Sequence, residues 1–440
     1  MNRRRARVYA WALYDVGNSA FATVVMAGFF PVFFKEYWSG DLPATASTFW
    51  LGAANSVASL IILASAPLLG AMADGSAGRK RFLAVFAGLG VVATAALFAV
   101  PAGAWPVAAT LYALAAIGFS GSMVFYDAML LAVCRERHFD AVSALGYALG
   151  YLGGGLLFAF TVVMTLQPAW FGLADEATAV RWAFLLTALW WAAFTFPLLA
   201  RVPEPAANLR GGGIVAGLGE LGATLRRVGQ LRPVVLFLAA YWFYIDGVDT
   251  IVRMALDFGL AIGLESSDLI LALLLTQLVG FPAALVFGRL GTVLGPRRGI
   301  EIAIAVYLVV ILWAVRMDSA AEFYALAAAV GLVQGGIQSL SRSLYARIIP
   351  RDRTAEFFGF YNMLGKFAAV LGPILMGGVG VATGSPRAGM AVVALLFLAG
   401  WLLLRRVDEG EARRRARALE GGNGFRRDGD GRPERGGERG

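Results

Sequence analysis

The stretch YIDGVDTIVRMALDFG (244–259) is apolar apart from a few charges, and three of these are regularly spaced. Asp246, Asp249 and Arg253 stand three and four residues apart, which puts them on one face of a helix. Two carboxylates one turn apart cannot both ionise easily away from water, so one is expected to keep its proton and serve as a proton carrier. Arg253, four residues on, best matches Asp249 and leaves Asp246 for that role. The bland alternative is a structural Asp249–Arg253 pair.

Other polar residues interrupt apolar runs in the same way. Asp15 and Asn18 are three apart in WALYDVGNSAFATVV (11–25), and read either as a substrate- or ion-facing pair or as a clasp between helices. Gln334, Gln338 and Arg342 recur every fourth residue, a polar stripe suited to a cavity wall. Lys366, between Gly365 and Phe367, could meet an anionic group or an acidic residue of another helix. Asp127 and Arg342 lie near the ends of their runs and are expected to snorkel to the surface. Gly146, Gly150 and Gly154 give a bare helix face for close packing.

The elements that position these residues follow from composition. The chain has 440 residues, 59% apolar and only 15% charged, well below the quarter usual in soluble domains. Apolar blocks fall at about 9–34, 47–72, 82–101, 106–133, 143–166 and 180–200. They resume at about 233–256, 267–290, 299–316, 321–346, 357–381 and 387–404. Each approaches the ~20 residues that cross a bilayer, and only helices satisfy the backbone there. The predicted architecture is all-α and integral to the membrane. A bundle at 1–200, a polar linker at 201–232, a second bundle at 233–404 and a disordered tail at 405–440 make up the chain. The linker is expected to hold a short amphipathic helix near 214–230.

Arg and Lys alternate from side to side of this pattern. With the N-terminus inside, inner segments hold Arg3, Arg79, Lys80, Arg135, Arg297 and Arg347 among many others, while outer ones hold Lys35, Arg181, Arg316 and Arg387. The positive-inside rule then places both termini in the cytoplasm of a cell-membrane protein. The N-terminal apolar run is too long for a signal peptide and contains Asp15, so it reads as the first span. The net charge of +9 is topological, so no nucleic-acid partner is expected. Cys134 and His138 are each alone, and no nucleophile elbow or phosphate loop occurs. No catalytic site, metal or cofactor is expected, and the protein is not read as an enzyme.

Two loops repeat one device. Gly70, Asp74, Gly78, Arg79, Lys80 and Arg81 join the second and third blocks, and Gly288, Thr292, Gly295, Arg297 and Arg298 join the eighth and ninth. This pairing resembles the signature loop of the major facilitator superfamily. The first copy has one extra residue before Gly78, and the second has Thr292 in place of the carboxylate. WALYDVGNSAFATVV, SALGYALGYLGGGLL (143–157), FLLTALWW (184–191), VQGGIQSLSRSLYARIIP (333–350) and AEFFGFYNMLGKFAAVLGP (355–373) narrow it. They are similar to the bacterial branch of the autophagy-related vacuolar effluxers.

The resemblance implies twelve membrane helices in two six-helix bundles and alternating access. In fungal relatives it implies export of amino acids from the vacuole. It also implies an amide at 249 and Asn at 127, from which Asp249 and Asp127 depart. The expected function is secondary transport of a small solute, with the amino-acid class and a proton as coupling ion the readings favoured, by a monomer in contact with lipid. Gating is assigned to Asp74, Arg79, Lys80 and Arg81. A lipid-handling scramblase or enzyme, or a non-transporting scaffold, are the rivals.

Overall fold

A backbone N–H or C=O in hydrocarbon has no water to bond, so each apolar block closes its hydrogen bonds internally as a helix. The computed structural model describes residues 3–76, 78–204, 219, 221–223, 231–261, 266–368 and 371–421. It contains α1 (Arg3–Trp38), α2 (Ala44–Ser76), α3 (Arg79–Ala96), α4 (Trp105–Ala128), α5 (Phe139–Leu166) and α6 (Glu176–Arg201). The second half has α7 (Arg232–Ala261), α8 (Ser266–Leu294), α9 (Pro296–Ala314) and α10 (Ala320–Ile348). It ends with α11 (Thr354–Ala368, continued by Leu371–Thr383) and α12 (Pro386–Leu404).

Eleven helices among the described residues are long and apolar enough to cross a membrane. The twelfth, α9, is 19 residues long and carries Arg297, Arg298 and Glu301 in its first two turns, which shortens its apolar run. Local chemistry sets several starts. Asp175 accepts from the Thr178 N–H at 2.7 Å, and Ser319 and Ser385 cap α10 and α12 likewise. Pro106, Pro296 and Pro386 sit in first turns, where a missing N–H costs nothing. Gly295 takes φ +89° between α8 and α9, a left-handed turn that favours glycine. Part of α1, Phe21–Phe29, winds as a wider π-helix, a form often found at functional sites.

Within the first half α1 packs on α5 and α6, and α4 on α2 and α3. In the second, α10 packs on α8 and α9, and α7 on α12. The halves meet where α2 lies on α11, α5 on α8 and α10, and α4 on α11. Large apolar side chains such as Val85, Phe196, Leu278, Val293 and Val381 point outward, as lipid-facing positions do.

Two expectations about the connections meet different ends. The linker helix near 214–230 falls almost wholly outside the described residues. The tail is not disordered from 405, because Glu409–Gly421 forms a further helix, α13. Ala412 and Ala416 are buried on its inner face, while the Arg297 guanidinium donates to the carbonyls of Arg405 and Val407. The small residues spaced four apart let this charged helix lie flat on the basic end of the bundle.

Candidate functional site

At the basic end, where the Arg-rich loops gather, a carboxylate from one half grips a helix of the other. Asp74, at the end of α2, is buried and pairs with Arg79 at 2.5 Å. It also accepts the backbone N–H groups of Ala355 and Glu356 at 3.2 and 3.0 Å. Those N–H groups open α11 and have no partner within their own helix. The anion therefore satisfies two orphan donors at the positive end of a helix dipole. Glycines make the approach possible. A Cβ at Gly70 would collide with the Ala355 carbonyl, and one at Gly359 would stand 2.6 Å from the Ala66 carbonyl. Of the expected gating residues, Lys80 is half-buried and Arg81 exposed. The Lys80 N–H donates to Glu204 at 3.0 Å, so only Asp74 and Arg79 form the clamp.

The second loop works differently. Thr292 is exposed and donates to the Gly288 carbonyl of its own helix at 2.9 Å. The start of α5 is held instead by its own Asp140, which pairs with Arg347 of α10 at 2.6 Å and accepts from Ser343.

Deeper in, Arg342 corrects the expectation that it snorkels. Its side chain is fully buried, as is that of Asp127 to within a few per cent. Arg342 bonds Asp127 at 3.0 Å, the Ser143 hydroxyl at 2.8 Å and the Ser143 carbonyl at 2.9 Å. It lies over the rings of Trp11, Tyr126 and Tyr147 at 4.5–5.3 Å, a favourable place for a guanidinium. Asp15 completes the group, 3.8 Å from Arg342 and accepting from the Tyr126 hydroxyl at 2.6 Å. The reason for the correction is cover: α1, α4 and α5 enclose this part of α10, so the side chain has no short path to water.

The helix-5 glycines lie against α1. A Cβ at Gly146 or Gly150 would stand 2.5 Å from the Asp15 carboxylate or the Ser19 hydroxyl. Asn18 donates to the Met123 sulfur at 2.9 Å, and its carbonyl oxygen has no hydrogen-bond partner among the described residues. Asn18 and Asp15 therefore do different things despite sharing a face.

On α7, Asp246 is buried and holds the Gly372 N–H of α11 with both oxygens at 3.0 Å, with the Thr250 hydroxyl at 3.5 Å. The expected Asp249–Arg253 pair is absent: among the described residues neither forms an ion pair within 4 Å. Their charges act on each other and on Lys366 at longer range. Lys366 sits 5.2 Å from the centre of the Phe119 ring of α4, and Arg253 acts on Tyr112 of the same helix. Lys366 and the exposed Arg253 thus lie toward α4 of the first half, and the half-buried Asp249 interacts with Tyr147 of α5. Gln334 lines a cavity of about 260 Å³ between α1 and the parts of α7, α8, α9, α10 and α12 away from the basic end. Its walls are apolar apart from Thr23, Thr276, Gln277 and Gln334, with Gln277 bonded to Thr23 at 2.7 Å. Gln338 and Arg342 do not line it.

Sequence reasoning missed Tyr126, Ser143, Asp140 and Arg347. A carboxylate in the first turn of a span, at Asp140, was the one signal that could have prompted a search for a partner. Among the described residues no group of three metal-ligating side chains converges.

The chain matches the family described as "Vacuole effluxer Atg22 like" over residues 42–138 and 135–417. It is 36% identical over 412 residues to the uncharacterized MFS-type transporter YxiO of Bacillus subtilis, covering 93% of this chain and 96% of that one. It is 26% identical over 306 residues to autophagy-related protein 22-1 of Penicillium rubens, 63% of this chain and 50% of that one. The chain thus spans about half the length of this fungal relative. In fold it is similar to the human organic anion transporter MFSD10, with a TM-score of 0.73, 16% identity and coverage of 92% and 100%. It is also similar to the proton:xylose symporter XylE, with a TM-score of 0.70, 14% identity and coverage of 94% and 98%. With the twelve helices, the paired loops and these matches together, the chain belongs to the Atg22-like family of membrane transporters within the major facilitator superfamily.

Proposed function

We propose that the chain is a secondary active carrier of a small solute of the amino-acid class, working by alternating access and coupled to protons. The observation that carries this reading is the trio Asp249, Arg253 and Lys366. Charges of both signs face the opposite half with no ion pair closer than 4 Å among the described residues. Charges kept inside a membrane bundle are expensive and mark a pathway. A zwitterion answers this set: its carboxylate suits Arg253 and Lys366, its ammonium suits Asp249. The effluxer description of the family supports a solute substrate.

The clamp of Asp74 and Arg79 on α11 supports a state closed at the basic end. By the positive-inside rule we place that end and both termini in the cytoplasm of the cell membrane. The units are bundles at 1–200 and 233–404, with 201–232 joining them, in a monomer. Purified protein in liposomes, offered each labelled proteinogenic amino acid with and without an imposed pH gradient, tests the reading. Concentrative uptake only with the gradient is the expected result, lost in Lys366→Gln. Equal uptake without the gradient overturns coupling, and no uptake of any amino acid overturns the substrate class.

A further inference from the structure

The cluster around Arg342 does not balance its charge. Two carboxylates, Asp15 and Asp127, face one guanidinium, and all three side chains are buried. Asp127 takes the direct ion pair at 3.0 Å and also accepts from the Asn362 amide at 3.1 Å. Asp15 stands off at 3.8 Å and has the Tyr126 hydroxyl as its close donor. The titratable groups facing Asp15 are Tyr126 and Asp127 of α4, Tyr147 of α5 and Arg342 of α10, beside its own neighbour Tyr14. Among the described residues no second cation lies within 4 Å of either carboxylate. One negative charge is therefore left over where water does not reach, a costly arrangement. A single proton removes it, and the ion-paired Asp127 is the poorer place for it. We propose that Asp15 is the proton-binding site of the coupled cycle, loaded while the basic end is closed and emptied when that end opens.

The reason for coupling is the partition of the cluster between halves. Asp15, Tyr126, Asp127 and Ser143 belong to the first half, whereas Arg342 belongs to the second. Each of the hydrogen bonds found for Arg342 runs across that boundary. Opening the basic end must withdraw α10 from α1, α4 and α5, admitting water to Asp15 and releasing its proton to that side. Asp246 lacks this property. Its bonds to Gly372 and Thr250 lie within the second half, so a rocking motion leaves them intact.

The inference rests on the proton-coupled, alternating-access reading above, and the test separates the two without a substrate. Spin labels at His138→Cys and Arg298→Cys, both exposed at the basic end of opposite halves, are placed in a Cys134→Ser background. Their separation is measured by pulsed electron resonance in lipid nanodiscs between about pH 5 and about pH 9. The wide-separation population should grow as pH rises, by up to about tenfold per pH unit for one coupled proton. Asp15→Asn, which carries no charge at any pH, should stay closed and lose that dependence. Tyr126→Phe removes a donor to the anion but keeps the charge count, so it should keep the dependence with its midpoint moved to higher pH. Unchanged dependence in Asp15→Asn, or none in the parent labelled protein, overturns the assignment. Asp74→Asn serves as the control. If it widens the separation while pH acts elsewhere or not at all, only the Asp15 assignment falls. If it too leaves the separation fixed, alternating access at this end falls with it.

Discussion

The two signature loops occupy corresponding places in the two halves and do opposite things. At the first, the carboxylate belongs to α2 and reaches across to backbone donors of α11. At the second, the carboxylate belongs to α5 itself and reaches a side chain of α10. The close approach is shared: Gly70 packs on the first turn of α11, and Gly288 on Asp140 and Ala144 of α5. What the repeat preserves is therefore the packing geometry. Each electrostatic lock instead joins a carboxylate of the first half to the second half, through backbone donors of α11 at one loop and an ion pair with α10 at the other.

The largest effect should come from breaking the first lock. Asp74→Ala leaves Arg79 buried without its partner and strips two donors of α11. Removing one partner of a buried pair costs about 3–5 kcal/mol. Amide exchange of the 354–360 segment should then accelerate by about a hundredfold or more, measured by mass spectrometry. Exchange at the parent rate would mean that α11 is held by packing alone.

Breaking the second lock should cost less. Arg347 is 12% exposed, so water compensates part of its loss, and Ser343 can still bond the amide of Asp140→Asn. A double-mutant cycle of Asp140→Asn with Arg347→Gln should give a coupling energy of about 1–3 kcal/mol. The readout is thermal unfolding in detergent. Strict additivity would show that the pair contributes nothing and that α5 is held through Ser343.

How much of this was legible follows from what kind of partner each residue has. Span positions and the basic end were readable because both are properties of single segments. Asp74 stood out as a candidate from its loop, but its partner did not, since a backbone N–H leaves no mark on the sequence. The cluster at Arg342 joins residues 199 and 215 positions apart, and nothing at either end names the other. The Asp249–Arg253 expectation failed for the opposite reason. Helical spacing permits that pair, yet both charges also interact with groups beyond their own helix, Lys366 of α11 and, for Arg253, Tyr112 of α4, and spacing along one helix carries no trace of those. The tail misled through composition, because the few alanines that bury α13 are invisible among its arginines.

The smallest effect sharpens the comparison most. Thr292→Asp restores to the second loop the carboxylate that its sequence lacks. If side-chain identity alone separated the loops, the variant would gain a clamp on the first turn of α5, and exchange there would slow strongly. The geometry argues otherwise. Thr292 is exposed, and a new anion there would gain at most the ~0.3–1 kcal/mol of a helix-terminus charge in water. Its neighbour Gly291 faces Asp140, with a Cβ there standing 3.1 Å from the Asp140 Cβ, so the added charge also meets a like one. The two contributions oppose, and the net change should stay within about 0.5 kcal/mol, as for ordinary surface substitutions. In the Asp140→Asn background the repulsion is gone, and the same Thr292→Asp change should become measurably stabilising. A tenfold slowing of exchange by Thr292→Asp alone would show a latent second clamp, and the asymmetry of the halves would then reduce to one side chain.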